Sequence, residues 1–188
     1  MENQIRSLIT VIKEAELGRE KLTQNKLPVK KADLEPILSE ETINYHFGKL
    51  AKGYVDRYNS NEGDSDFNKA GAVLHNIYFG QFITPGNYKP FGATENFINK
   101  HFDSFDKLKD EFEKTAMSIQ GSGWVYLSYS GKLKTIKNHQ IKNDILLLID
   151  WWEHAWALDY QADKVKYLKN IWRIINWSVI NNRLSTQI

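Results

Sequence analysis

The chain has 188 residues, with 25 Lys and Arg against 23 Asp and Glu, and this balance gives no case for nucleic-acid binding as its main task. Hydrophobic residues make up 41%, enough for a packed core, and aromatics reach 13%, which points to ring-lined packing around a site or an interface. Cysteine is absent, which excludes disulfides, thiolate ligands and thiol nucleophiles together.

Residues 1–24 predict an amphipathic helix, with Ile5, Leu8, Ile9, Ile12 and Leu17 on one face, suited to docking on the body of the protein or on a partner. Leu27-Pro28 interrupts that pattern. Ser39 has the character of an N-cap, with Glu40 and Glu41 where the helix dipole favours anions, so a helix is expected over 39–58. The stretch 59–65 is a turn, and a second helix over 67–83, stopping before Pro85, would complete a helical hairpin. Residues 85–92 are the best linker. Helical patterns follow over 95–102 and 105–119. Segments 124–129 and 132–137, around Ser130-Gly131, predict a β-hairpin with a two-residue turn. The apolar run 145–149 is of strand type, and helical patterns resume over 164–175 and near the C-terminus.

The sum is an α+β fold: an N-terminal helical hairpin lobe, then a C-terminal lobe with a small three-stranded antiparallel sheet flanked by helices. The expected division is an extension over 1–26, helical by its pattern, a helical hairpin domain over 27–90 and an α/β domain over 91–188. No apolar run reaches the length of a membrane span, and the first residues lack the apolar core of a secretory signal. A soluble protein of the cell interior, cytoplasmic in setting, is the expectation.

The densest cluster of chemistry is Asp150-Trp151-Trp152-Glu153-His154-Ala155. A carboxylate and an imidazole stand four residues apart among indoles, directly after the apolar run. Both donate to transition metals, and bulky rings beside them keep water scarce. The block resembles D-x-W-E-H-A, the C-terminal metal signature of the iron/manganese superoxide dismutases. The likeness extends to Tyr45-His46-Phe47-Gly48-Lys49, Tyr54-Val55, Gly121-Ser122-Gly123-Trp124, Tyr167-Leu168 and Asn176-Trp177, and covers roughly residues 27–183.

The resemblance implies a metal held by three histidines and one aspartate. Carried over by position, these are His46, Asp150 and His154, with the second histidine at His75; an alternative alignment puts Asn76 there. Three imidazoles and a carboxylate suit Fe, Mn or Zn, of which Zn would be redox-silent. Tyr54 matches the family's tyrosine at the substrate channel. His139 matches a group that hydrogen-bonds solvent on the metal, with Gln140 the fallback. Glu153 matches an acid that reaches across a dimer interface, while Trp124 and Trp152 belong to the aromatic surround. Leu50 and Ala157 depart from the family: they replace a channel His and the Tyr that bonds it. Losing both avoids an orphaned polar group, though it leaves proton delivery and substrate gating open.

The implied activity is dismutation of superoxide to oxygen and hydrogen peroxide, with one Fe or Mn ion per subunit alternating between trivalent and divalent states. A homodimer is expected, and neither nucleic acid nor membrane as partner. The rival expectation is the same fold reused as a structural or assembly component.

Overall fold

The computed structural model describes residues 20–186. Most of the predicted N-terminal helix falls on residues 1–19, outside the described residues. Its described end, 20–24, is not helical, which corrects the expectation. Asparagine side chains compete for its backbone: the Asn59 carboxamide bonds both the N–H and the carbonyl of Leu22, each at 2.9 Å. Asn76 does the same for the Asn25 N–H and the Thr23 carbonyl. The segment is thereby stitched in an irregular course onto the helical hairpin.

Helix α1 (Glu40–Tyr45) starts where its cap predicts, the Ser39 hydroxyl accepting the Thr42 N–H at 3.1 Å. It runs through a wider π turn (His46–Ala51) into α2 (Lys52–Asn59). Asp64 then caps α3 (Ser65–Phe79) by accepting the Phe67 N–H at 2.8 Å, and α2 packs on α3 as the N-terminal hairpin. The second helix was expected to reach residue 83 but ends at Phe79. Beyond it the backbone turns to the C-terminal segment: Ile83 N–H bonds the Ile174 carbonyl at 2.9 Å, and Asn176 N–H bonds the Gln81 carbonyl at 2.8 Å. These long-range bonds outcompete helical pattern. They also explain why the helical pattern over 164–175 breaks at Ile171.

Helices α4 (Gly92–Phe102) and α5 (Phe105–Met117) lead into the sheet. Strands β1 (Gly123–Ser128), β2 (Leu133–Lys137) and β3 (Ile145–Asp150) lie in the order β2-β1-β3, all antiparallel, as the α+β reading required. β1 and β3 are buried throughout, which is why Ile145 to Ile149 is apolar without alternation. The hairpin does not close with a two-residue turn. Gly131 N–H bonds the Ser128 carbonyl at 3.0 Å and Ser128 N–H bonds the Lys132 carbonyl at 2.9 Å, so the loop has three residues ending on Gly131 at φ +73°. A type I turn followed by a left-handed glycine matches the strand twist equally well.

After β3 come a 3-10 turn (Glu153–Ala155), α6 (Ala157–Tyr160), α7 (Lys164–Ile171), a second 3-10 turn (Trp172–Ile174) and α8 (Trp177–Ser185). No helix among the described residues is long and apolar enough to cross a membrane.

A polar clamp ties three of these layers together. The fully buried Gln81 accepts the Leu148 N–H at 3.3 Å and donates to the Leu148 carbonyl on β3. From α8, Arg183 donates to Gln81 Oε1 at 3.0 Å, to the Leu146 carbonyl at 3.1 Å and to the Ile77 carbonyl at 2.9 Å. Replacing Arg183 by Met keeps the stem but strands the Leu146 and Ile77 carbonyls, while Gln81 Oε1 keeps the Leu148 N–H. Arg183→Met should cost about 3 kcal/mol, at 1–3 kcal/mol per stranded buried group, in a urea titration of the unfolding transition.

Candidate metal centre

Each candidate ligand owes its position to a local feature of the chain. His46 opens the π turn between α1 and α2. Eight residues at 3.6 per turn overshoot two turns by about 80°, and the wider π turn takes up that excess. Tyr54 is thereby turned toward the same centre as His46. His75 lies on the buried face of α3, and its Nδ1 donates to the Gly71 carbonyl at 2.7 Å. That bond leaves Nε2 of His75 with its lone pair free. Asp150 ends β3, and its Oδ1 accepts the Trp152 N–H at 2.8 Å. This Asx-type bond bends the chain, so His154, in the 3-10 turn, faces back onto Asp150.

The structure brings His46, His75, Asp150 and His154 together, with one donor atom from each lying within 4.8 Å of all the others. Asp150 Oδ2 stands 3.1 Å from His46 Nε2, 3.4 Å from His154 Nε2 and 3.6 Å from His75 Nε2. None of these four atoms has a hydrogen-bond partner, and all are buried. The 3.1 Å approach of His46 to Asp150 is an ion-pair distance, yet its orientation is not that of a hydrogen bond. A shared cation explains both facts. Bonds of about 2.1 Å, diverging by about 90° to 120°, separate their donors by about 3.0 to 3.6 Å. The donor set therefore fits a first-row metal ion, and it contains no thiolate.

Electrostatics point the same way. Burial pushes the Asp150 carboxyl up, but the imidazoles of His154 and His46 outweigh it and hold the group well below the usual carboxylate range. Burial lowers His46 to about 4 against the opposing pull of Asp150, and it drives His75 well below its usual value. The centre thus sets a carboxylate anion beside two imidazoles, His46 and His75, that burial keeps neutral, the protonation state that metals require.

Around it, His139 is buried and accepts the Trp124 Nε1–H at Nδ1, at 3.2 Å. Its other nitrogen, Nε2, therefore carries the proton, and that atom is buried without a partner. Desolvation lowers His139 to about 4. Its ring stacks on Trp152 at 4.6 Å and meets Tyr54 at 4.8 Å. Burial and the Asp150 charge raise the Tyr54 phenol to about 12. Of the fallback positions, Gln140 is exposed, and Asn76 is occupied with the backbone of Thr23 and Asn25. Glu153 is exposed and stands apart from the cluster, whereas Trp124 is fully buried and Trp152 lies beside the His154 ring at 5.5 Å.

Two residues given no role from sequence prove central. Tyr78 and Tyr167 are fully buried with hydroxyls 2.9 Å apart, and Tyr167 donates to the Asp150 carbonyl at 3.0 Å. Tyr78 sits three residues after His75, a spacing that places both on one helix face; Tyr167 fell within the matched Tyr167-Leu168 motif, which named no role for it. Gly71 is the third omission. A Cβ there would lie 2.8 Å from Cγ of Tyr54, so only glycine admits the ring. Gly71→Ala should displace Tyr54 while leaving the carbonyl that fixes His75. The expected outcome is a loss of about 1–3 kcal/mol in denaturant titration, with metal content unchanged by elemental analysis.

Comparison with known proteins places this geometry in a family. The model for the iron/manganese superoxide dismutases, alpha-hairpin domain, matches residues 21–65, and that for their C-terminal domain matches residues 90–183. A "Superoxide dismutase [Fe]" of Bacteroides fragilis is 37% identical over 187 residues, covering 85% of this chain and 97% of the relative. A "Superoxide dismutase [Mn/Fe]" of Porphyromonas gingivalis is 36% identical over 184 residues, with 84% and 96% covered. For a "Superoxide dismutase [Fe]" of Pyrobaculum aerophilum the figures are 31% over 188 residues, with 84% and 89% covered. With both domain models matched in order and relatives alike along most of its length, this chain belongs to the iron/manganese superoxide dismutase family.

Proposed function

We propose that the chain is a superoxide dismutase dependent on iron or manganese, an oxidoreductase that converts superoxide to oxygen and hydrogen peroxide. One observation carries the reading: four buried donor atoms without partners converge on one point in a chain of this family. His46, His75, Asp150 and His154 hold the ion, one per subunit, since they are a single cluster among the described residues. When bound, iron or manganese supplies a one-electron couple that takes an electron from one superoxide and gives one to a second.

The remaining chemistry belongs to side chains. Two protons are needed for each peroxide formed; solvent supplies them, and two neutral hydrogen-bonding groups face the centre to hand them on. His139 presents Nε2–H, fixed by the bond from Trp124 to its other nitrogen. Tyr54 keeps its phenol proton across the physiological range, because its pKa is pushed up to about 12. With Leu50 and Ala157 in place of a polar pair, proton delivery falls to Tyr54 and His139. Trp124 and Trp152 exclude bulk water and orient His139, one by a hydrogen bond and the other by stacking.

The chain's organisation follows the same reading: an extension over 1–26, a helical hairpin domain over 27–90 and an α/β domain over 91–188. A homodimer forms through the face that bears Glu153. This carboxylate is exposed on the rim of a cleft of about 720 Å³ lined also by Trp151, Trp156, Ala157 and Lys164, and Leu158 beside it is 52% exposed. A two-fold axis would bring the same patch of each subunit together.

Protein reconstituted separately with iron and with manganese should dismutate superoxide with at least one of them, with metal content measured on the same samples. Full metallation with neither form active would sink the enzymatic reading and favour a reused fold. Asp150→Ala removes the only anion of the set. It should weaken metal retention by more than the roughly 10- to 100-fold typical of losing an outer hydrogen bond, and a fully metallated, active variant would refute the ligand assignment.

A further inference from the structure

Asp150 is restrained at more atoms than its carboxylate. Its Oδ1 accepts the Trp152 N–H, and its main-chain carbonyl accepts the Tyr167 hydroxyl at 3.0 Å. Tyr167 has one proton to give, so in its contact with Tyr78 at 2.9 Å it is the acceptor and Tyr78 the donor. Tyr78 in turn lays its ring against His46, with centroids 5.7 Å apart and planes 31° apart. The pair thus joins α3 and α7 to the last residue of β3, and touches two of the four residues of the cluster. Both tyrosines are fully buried, so no water substitutes for either hydroxyl.

We propose that Tyr167, with its hydroxyl held by Tyr78, is a positioning residue that sets how firmly the Asp150 carboxylate meets the metal, and so sets the balance between the metal's two oxidation states. This rests on the metal reading above. An anionic oxygen ligand stabilises the trivalent ion more than the divalent one, so a carboxylate held less firmly shifts the balance toward the divalent state. Direction matters within the pair. Without the Tyr167 hydroxyl, the Asp150 carbonyl and the Tyr78 hydroxyl are both stranded. Without the Tyr78 hydroxyl, Tyr167 still donates to Asp150 and loses only its own support. The two variants are therefore unequal, in a predictable order.

The test is a redox titration of the iron-loaded protein, read from the Fe(III) absorption, on wild type, Tyr167→Phe, Tyr78→Phe and Tyr160→Phe. Tyr160 packs its ring 5.8 Å from that of Tyr167, but its hydroxyl bonds the Ile37 carbonyl, so it controls for general loosening of the same region. At a poise where wild type is half reduced, Tyr167→Phe should raise the Fe(II)/Fe(III) ratio at least about threefold, where tenfold corresponds to 59 mV for one electron. Tyr78→Phe should raise it less, and Tyr160→Phe should leave it unchanged. A wild-type ratio in Tyr167→Phe overturns the proposal, as does an equal rise in Tyr160→Phe. If Tyr167→Phe does not fold, Tyr78→Phe decides: a rise supports the proposal and no change overturns it. The titration needs no turnover, so a metallated but inactive protein would defeat the dismutase reading alone. A wild type that retains no iron would defeat both.

Discussion

The structure is organised around one uncompensated charge. Asp150 places a carboxylate oxygen in a fully buried spot, where the nearest groups are three imidazole nitrogens with lone pairs of their own. Burying an anion costs several kcal/mol unless opposite charge meets it there. A cation at the common point resolves the conflict. The hairpin supplies two of the imidazoles, and the C-terminal half supplies the anion and the third. The two halves therefore meet where each lacks what the other provides.

The hydrogen bonds outside the cluster all serve to fix its atoms in one state. Gly71 selects the tautomer of His75, Trp124 that of His139, and the Trp152 N–H selects which carboxylate oxygen of Asp150 faces the imidazoles. Each is a bond from or to a rigid element, a helix or a strand, rather than a mobile loop. Small substrates such as a diatomic anion offer little surface to bind, so a site for them relies on such pre-set groups instead of shape.

How much of this was legible in the sequence depended on the range of the interaction. The Ser39 cap, the apolar run of β3 and the pairing of Asp150 with His154 are local, and local pattern exposes them. The end of α3 at Phe79, the break after Ile171 and the irregular course of residues 20–25 were not legible, because each is decided by backbone or carboxamide bonds to segments far along the chain. The hairpin turn was misjudged for another reason: Gly131 serves a two-residue or a three-residue loop alike, and only the bonds around Ser128 distinguish them. Family likeness supplied the candidate ligands and took in Tyr167 as part of a motif, yet it gave no role to Tyr78 or Tyr167, whose meaning lies in one hydroxyl touching another across 89 residues.

Gln81 and Arg183 have a consequence for the molecule's behaviour in a crowded solution. A three-stranded sheet has two outer strands, and an outer strand offers its spare amides to any passing extended chain. On β3 the Gln81 carboxamide takes both polar groups of Leu148, and the guanidinium of Arg183 takes the Leu146 carbonyl. A side-chain amide thus acts there as one rung of a fourth strand that the fold never builds. The opposite strand, β2, carries Lys134 and Lys137, whose charges disfavour strand addition from that side. The sheet is kept at three strands from both sides, so association between molecules is steered away from fibre-like stacking and left to other faces.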